Sequence, residues 1–245
     1  MRRAAVRMMA GGAAALAAAS LLAGCRAKNI LGTRDEVAIG KEASQEIEKQ
    51  FRVDAASQDA QRVRRIGERL LIHSDQRPGV PYSFKVLDTK EVNAVSLPGG
   101  PVYVMRGLLD LVGDDDDALA CVMGHELGHV NGRHAAKQIS QQIQTNLAIG
   151  ILLRGGTAQQ LAGLGADLLG LKYGRDDEYE SDRRGLSYAF KAGFDPKGLI
   201  RFFQKLQAME KSGGTPEFLR THPVTRSRIE RAERIIEAQD YPYGR

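Results

Sequence analysis

The sequence predicts an α+β domain, mostly helical, with one small sheet. Three observations carry this. Alternation of apolar and polar residues is confined to residues 82–105. On both sides of that stretch, apolar residues recur at helical spacing. No internal repeat or long low-complexity tract interrupts the series, so the order is helices, sheet, helices, which is α+β and not alternating β–α units.

Composition narrows the class. The chain has 245 residues, 42% hydrophobic and 27% charged, which excludes a disordered, collagen-like or coiled-coil protein. Net charge is +5, but Arg2, Arg3 and Arg7 supply three of the positives, so no nucleic-acid surface is read from it. Two cysteines exclude a disulfide scaffold. With no Trp and 6% aromatics, an aromatic-lined sugar or nucleic-acid cleft is not expected.

Residues 1–24 read as an export signal: three arginines, then an uncharged Ala/Leu-rich run from Met8 to Gly24. That run is shorter than the ~20 apolar residues a membrane span needs. It ends in Leu22-Ala23-Gly24-Cys25, which resembles the lipobox of bacterial lipoproteins, where the signal is removed and the cysteine acylated. A lipoprotein cysteine carries several chains, so attachment at Cys25 would be stable. By resemblance to enterobacterial sorting, Arg26 in place of Asp favours the outer membrane. Residues 25–32 are then a lipidated cysteine and tether, and residues 33–240 a single domain. Cys121, left alone, is expected inside a buried helix as a small hydrophobe.

The elements follow in order. Residues 33–51 predict a helix, with Thr33 as N-cap and Glu36 completing a capping box. Residues 54–72 predict a second, turning Val63, Ile66, Leu70 and Leu71 inward. His73 is assigned to the surface. Pro78-Gly79-Val80-Pro81 breaks the chain. Strands are predicted at 82–87, 92–97 and 102–105, the last two joined by a turn at Pro98-Gly99-Gly100-Pro101. The acids of residues 114–117 are assigned to a helix N-terminus, where they cap free N–H groups and offset the macrodipole, in preference to a metal site. Residues 143–153 and 161–171 are apolar but short, and are expected as amphipathic or buried helices over the site, with a lid as the second option. Residues 241–245 are expected as a frayed tail.

The chemistry is carried by His125-Glu126-Leu127-Gly128-His129, an HExxH motif. Two histidines at i and i+4 on one helix face can reach one ion, and Glu126 stands beside the water that ion activates. With 5 His and 14 Glu in the chain, chance would supply the pattern roughly 0.006 times, so the motif is taken as a metal site. The preceding apolar run from Ala118 to Met123 gives a buried helix, and Gly124 and Gly128 permit close packing. A local third ligand would require His at 135, where Ala135 stands. His134, nine residues after His125, would fall on the opposite face of a continuous helix and is assigned to the surface or a helix end. A distant carboxylate fits better. Glu178 and Asp182 are i and i+4 in Glu178-Tyr179-Glu180-Ser181-Asp182, so Glu178 can bind the ion while Asp182 accepts the free N–H of a ligating His. Glu180 faces elsewhere.

HELGH, then EYESD about fifty residues on, then Thr221-His222-Pro223 resembles the gluzincin metallopeptidases that include the CAAX prenyl proteases and HtpX. The soluble bacterial lipoprotein or periplasmic branch is the nearest match. Further matching segments are Asn93-Ala94, Leu97-Pro98-Gly99-Gly100 and Ala192-Gly193-Phe194-Asp195-Pro196. The resemblance implies one Zn2+ held by His125, His129 and Glu178, Glu126 as general base, and Asp182 as support to a ligand. It also implies a strand in residues 97–105 bordering the cleft, with Asn93, Gly99, Gly100, Val102 and Tyr103 at the substrate, where an extended peptide could pair by β-augmentation. His222 is either a fourth ligand or transition-state donor, or an ordinary helix-start residue beside a proline. The helical-repeat domain that some members carry is not expected.

The expected protein is thus a lipid-anchored zinc endopeptidase of the bacterial cell envelope, acting on unfolded or unassembled envelope proteins in quality control. One alternative is a non-proteolytic, chaperone-like assembly factor whose zinc site is blocked. Another is a zinc hydrolase of a non-peptide bond such as a peptidoglycan amide.

Overall fold

The helix that carries both motif histidines runs from Asp116 to Gly132, and residues 118–130 of it are buried on every face. A helix apolar all round belongs at the centre of a fold. In the computed structural model, which describes residues 29–148 and 168–244, the other elements pack around it. They are α1 (Thr33–Gln50), β1 (Val53–Asp54), α2 (Gln58–Ile72), β2 (Ser83–Leu87), β3 (Ala94–Ser96), β4 (Pro101–Met105), α3 (Arg106–Val112), the central α4, α5 (His134–Ala148), a 3-10 turn (Leu168–Gly170), α6 (Arg175–Lys191), α7 (Gly198–Lys211), α8 (Glu217–Thr221) and α9 (Arg226–Ala238). The architecture is α+β and mostly helical, as expected. Among the described residues no helix is long and apolar enough to cross a membrane. The predicted signal and Cys25 lie outside the described residues, as does most of the 143–171 segment.

The sheet has the order β1-β2-β4-β3. β2 and β4 pair in parallel, Phe84 opposite Val102 and Val86 opposite Val104, while β1 and β3 pair antiparallel at the two edges. Alternation sorts the side chains. Phe84, Val86, Val102 and Val104 join the larger core with α2 and α4. Leu87, Val95, Tyr103 and Met105 meet Ile39, Ala43 and Ile47 of α1 on the other face. The turn between β3 and β4 needs its glycines. Gly99 and Gly100 have φ of +74° and +121°, and a Cβ on Gly99 would lie 2.5 Å from Val37 Cα.

Several boundaries differ from the sequence expectation. The cap of α1 is Gly32, whose N–H donates to Asp35 Oδ2 at 2.8 Å. Glu36 is instead buried and held by Arg77 and Arg133 at 2.7 and 2.6 Å, a long-range pairing that a local capping rule does not see. The second helix starts at Gln58 with Ser57 as cap, because Val53 and Asp54 are drawn into the sheet. The acids before α4 do cap it: Asp115 accepts from Ala118 N at 2.9 Å and pairs with Arg201. Its carboxyl is held down to about 2, first by that Arg201 hydrogen bond. Cys121 is buried as predicted. His73 is half-buried at the end of α2. The C-terminal segment is docked, not frayed: Tyr241 stacks on Phe190, Arg184 lies over Tyr243, and Lys191 donates to Gly244 O.

The α4–α6 crossing sets the site. Gly124 and Gly128 of α4 face Gly185 and Ser181 of α6 so closely that a Cβ on Gly185 would sit 2.6 Å from His125 N. At that distance backbone must move. Gly185→Ala should therefore destabilise the fold by about 1–3 kcal/mol, as overpacking does. Urea unfolding of the variant, with metal titration beside it, should show both a lower midpoint and weaker metal binding, because the displaced atom belongs to a ligand residue.

Candidate metal centre

α4 delivers His125, Glu126 and His129 from one turn, and the first two turns of α6 deliver Glu178 and Asp182 across the glycine contact. His222 arrives from a third direction, as the residue ending the five-residue α8. Its N–H donates to Phe218 O at 2.7 Å, and its ring stacks on Phe218 with centroids 4.7 Å apart. One potential ligand atom from each of His125, His129, Glu178 and His222 lies within 4.8 Å of all the others, and all four residues are buried.

The separations fit one small cation. His125 Nε2 is 3.0 Å from His129 Nε2, 3.3 Å from His222 Nδ1 and 3.7 Å from Glu178 Oε2. His129 Nε2 is 3.3 Å from Glu178 Oε1. Donors at about 2.05 Å around a tetrahedral ion lie about 3.3 Å apart. His125 donates its Nδ1–H to Asp182 Oδ1 at 2.9 Å, so its Nε2 presents a lone pair toward the cluster.

Charge points the same way. Glu126, Glu178 and Asp182 are 0%, 2% and 3% exposed, and Arg228, at 2%, is among the described residues the one buried guanidinium that meets them. It grips Asp182 with two hydrogen bonds of 2.8 and 2.7 Å, touches Glu178 Oε2, and donates to Pro223 O. Burial pushes Glu178 up, but His222, His125 and Arg228 outweigh it and hold the carboxyl well below the usual range. Asp182 is lowered likewise, Arg228 overcoming its burial. Burial, joined by His125 and His222, holds His129 well below the usual imidazole value. His222 is raised: its burial is overcome by Glu178 and Glu126. Three carboxylates against one arginine leave room for a divalent cation. The donor set of two histidines and a carboxylate is the one that holds zinc in hydrolytic sites.

Residues 57–236 match the family described as Peptidase family M48. The chain belongs to that family. It is 32% identical over 182 residues to the beta-barrel assembly-enhancing protease of Escherichia coli (strain K12), covering 69% of this chain and 37% of that protein. It is 31% identical over 163 residues to metalloprotease LoiP of the same strain, covering 64% and 62%. To metalloprotease YcaL it is 30% identical over 193 residues, covering 75% and 74%. The chain thus spans little more than a third of the length of the beta-barrel assembly-enhancing proteases it matches.

The M48 site brings together His125, Glu126, His129, Glu178 and Asp182, each expected there from the sequence, and His222, for which the sequence left two roles open. The residues expected at the substrate lie elsewhere. Val102 and Tyr103 sit on β4, which is paired on both sides and has no free backbone edge for a peptide. Tyr103 is fully buried, its hydroxyl donating to Glu48 Oε1 at 2.6 Å. Gly99 and Gly100 are packed against Val37 and Pro81. Asn93 is buried, its side chain accepting from Ala94 N and its carbonyl from Met105 N. The edge strand is β3, and Ser96 at its end donates to Glu126 Oε2 at 2.9 Å.

Four participants were not anticipated: Ser96, Tyr173, Arg228 and His134. Tyr173 stacks on His129 with centroids 3.8 Å apart, and its burial, with Glu126 and Glu178 nearby, raises its phenol well above the ordinary value. Arg228 did leave a signal, since Ala232 and Ile235 follow it at i+4 and i+7 and so place an arginine on the apolar stripe of α9. His134 was expected at the surface, or at a helix end. It does begin α5, but it is 1% exposed and faces His129, because Arg133 in the left-handed region (φ 59°) ends α4 and turns the chain back.

Arg228→Leu should lower the stability of the metal-free protein by about 3–5 kcal/mol, because it strands two buried carboxylates. Added divalent zinc should recover part of that loss, since it is the other source of positive charge. Urea midpoints with and without zinc measure both effects.

Proposed function

We propose that this chain is a zinc-dependent endopeptidase of the bacterial cell envelope, held to a membrane by lipid on Cys25 and facing the periplasm, with unfolded or unassembled envelope proteins as substrates. One observation carries the peptidase reading. Glu126 Oε1 is fully buried beside the ligand cluster with no hydrogen-bond partner, while Oε2 is fixed by Ser96. A buried carboxylate oxygen without a hydrogen-bond donor is costly, and beside a metal it is what a general base for water requires.

Zinc, when held by His125, His129 and Glu178, supplies Lewis acidity that polarises a peptide carbonyl and makes water easier to deprotonate. Asp182, anchored by Arg228, keeps His125 turned toward the ion. Glu126 takes a proton from the attacking water and passes it to the leaving amine. β3, which runs beside the site and forms a sheet edge, is the element on which an extended chain would lie. The names of metalloproteases LoiP and YcaL and of the beta-barrel assembly-enhancing proteases support proteolysis. The Leu-Ala-Gly-Cys sequence ending at Cys25 supports the anchor, and outer-membrane sorting is part of the same proposal.

A second reading has its own observation. His222 lies 2.9 Å from Glu178 Oε1, 3.3 Å from His125 Nε2 and 3.5 Å from Glu126 Oε1, where it would complete a closed coordination shell. Catalytic zinc sites keep one position open. A site shut in this way suits a latent peptidase or a non-proteolytic assembly factor.

Purified protein should contain zinc and cleave unfolded casein, and chelation should abolish cleavage until zinc is restored. Glu126→Gln should keep its zinc while cleavage falls by at least about 100-fold. Zinc in both proteins with cleavage by neither would favour the second reading, a latent peptidase or an assembly factor. His222→Ala should raise turnover if the histidine closes the site. A large loss of kcat with zinc retained would make it a transition-state donor and refute self-inhibition.

A further inference from the structure

His134 belongs to no part of the reaction described above, yet it is one of the most buried polar side chains in the chain, at 1% exposure. Its Nδ1 lies 2.9 Å from Nδ1 of His129. A contact of that length between two imidazole nitrogens needs one N–H and one lone pair. We propose that His134 is a positioning residue for the metal ligand His129, accepting its Nδ1–H and so holding the tautomer and ring angle that turn Nε2 to the ion. The inference rests on the reading of His129 as a ligand.

The two metal-binding histidines then have different supports. His125 gives its Nδ1–H directly to a carboxylate, Asp182. Among the described residues, the hydrogen-bond partner at His129 Nδ1 is an imidazole. With His129 as donor, His134 Nδ1 is the acceptor and its own proton sits on Nε2. That nitrogen faces negative charge: Glu180 Oε2 at 3.5 Å and Asp177 Oδ1 at 3.9 Å. Both carboxylates are themselves held, Glu180 by Arg184 at 2.8 Å and Asp177 by Lys137 at 2.6 Å. His134 Nε2 makes no hydrogen bond, and the two carboxylates act on it by charge alone. The opposite tautomer would direct the His134 Nδ1–H at His129, leave His129 to carry its proton on Nε2, and remove the lone pair from the metal side.

The backbone is shaped for this contact. Arg133 adopts the left-handed region, which is unfavourable for a non-glycine residue, and it is the residue that swings His134 under His129. A Cβ on Gly132 would lie 2.4 Å from His134 Nε2, so only glycine leaves space for the ring. Ser181 Oγ, 3.3 Å from His134 Nδ1, closes the remaining side.

The test compares zinc affinity, by chelator competition, in full-length wild type, His134→Leu and His134→Asn. The Asn amide oxygen falls near the position of Nδ1 and restores an acceptor, whereas Leu removes it. Leu should weaken zinc binding by about 10–100-fold, and Asn should return it to within a few-fold of wild type. Equal affinity in wild type and Leu overturns the proposal. So does an Asn variant as weak as Leu while the metal-free proteins unfold at the same urea concentration. If Leu does not fold, imidazole 15N–1H NMR of zinc-loaded wild type decides: a proton on His129 Nδ1 is required, and metal coordination through Nδ1 refutes it. Wild type that binds no zinc fails the ligand reading itself and not this inference.

Discussion

Three carboxylates buried within one helix crossing, met among the described residues by a single buried guanidinium, are the constraint on which the rest of this structure depends. Glu126, Glu178 and Asp182 could not be held out of water beside one another without positive charge. Arg228 supplies part of it from the far end of the chain, and so ties α9 to the α4–α6 pair. The remainder falls to whatever the histidines bind. The fold and the metal are therefore coupled through charge as well as through ligand geometry. The domain needs its last helix for the same reason that it needs its metal.

Proximity makes this charge problem acute, and proximity is set by glycine. Gly124, Gly128 and Gly185 let α4 and α6 approach until the α6 backbone lies at van der Waals distance from His125 N. Larger residues would separate the helices and relax the repulsion, but would also pull Glu178 from the two histidines. The same close approach brings Asp182 within hydrogen-bond reach of His125 Nδ1. Packing and chemistry are here one constraint.

What could be read from the sequence was what depends on local period. His125 and His129 share a face because four residues make about one turn, and Glu178 and Asp182 do so for the same reason. Both pairs appear as expected. What failed depended on a break in period or on topology. Extending α4 through Arg133 carried His134 to the wrong side, and one left-handed residue reverses that conclusion. Strands 92–97 and 102–105 were identified, but the parallel pairing of β2 with β4 places β4 inside the sheet and leaves β3 at the edge. Tyr103 thereby moves from the cleft to the core. Arg228 was missed because its partners lie 46 and 50 residues away in the chain, beyond any window that a periodicity argument spans.

The position of His222 follows from anchors on both sides. Upstream, Phe218 is buried, donates its N–H to Val92 O beside the sheet, and stacks under the imidazole. Downstream, Pro223 O accepts from Arg228, the residue that holds Asp182 and Glu178. The loop is thus fastened to the strand side of the site and to its charge network at once. Withdrawing His222 from Glu178 means turning a ring against its own stacking partner or releasing Pro223 from Arg228. His222 Nε2 stands 3.5 Å from Glu126 Oε1, the oxygen with which the base would meet its water. One side chain thus adjoins both the base and the other candidate ligands. The same Arg228 that meets Asp182 and Glu178 thus also fixes the loop on which His222 stands.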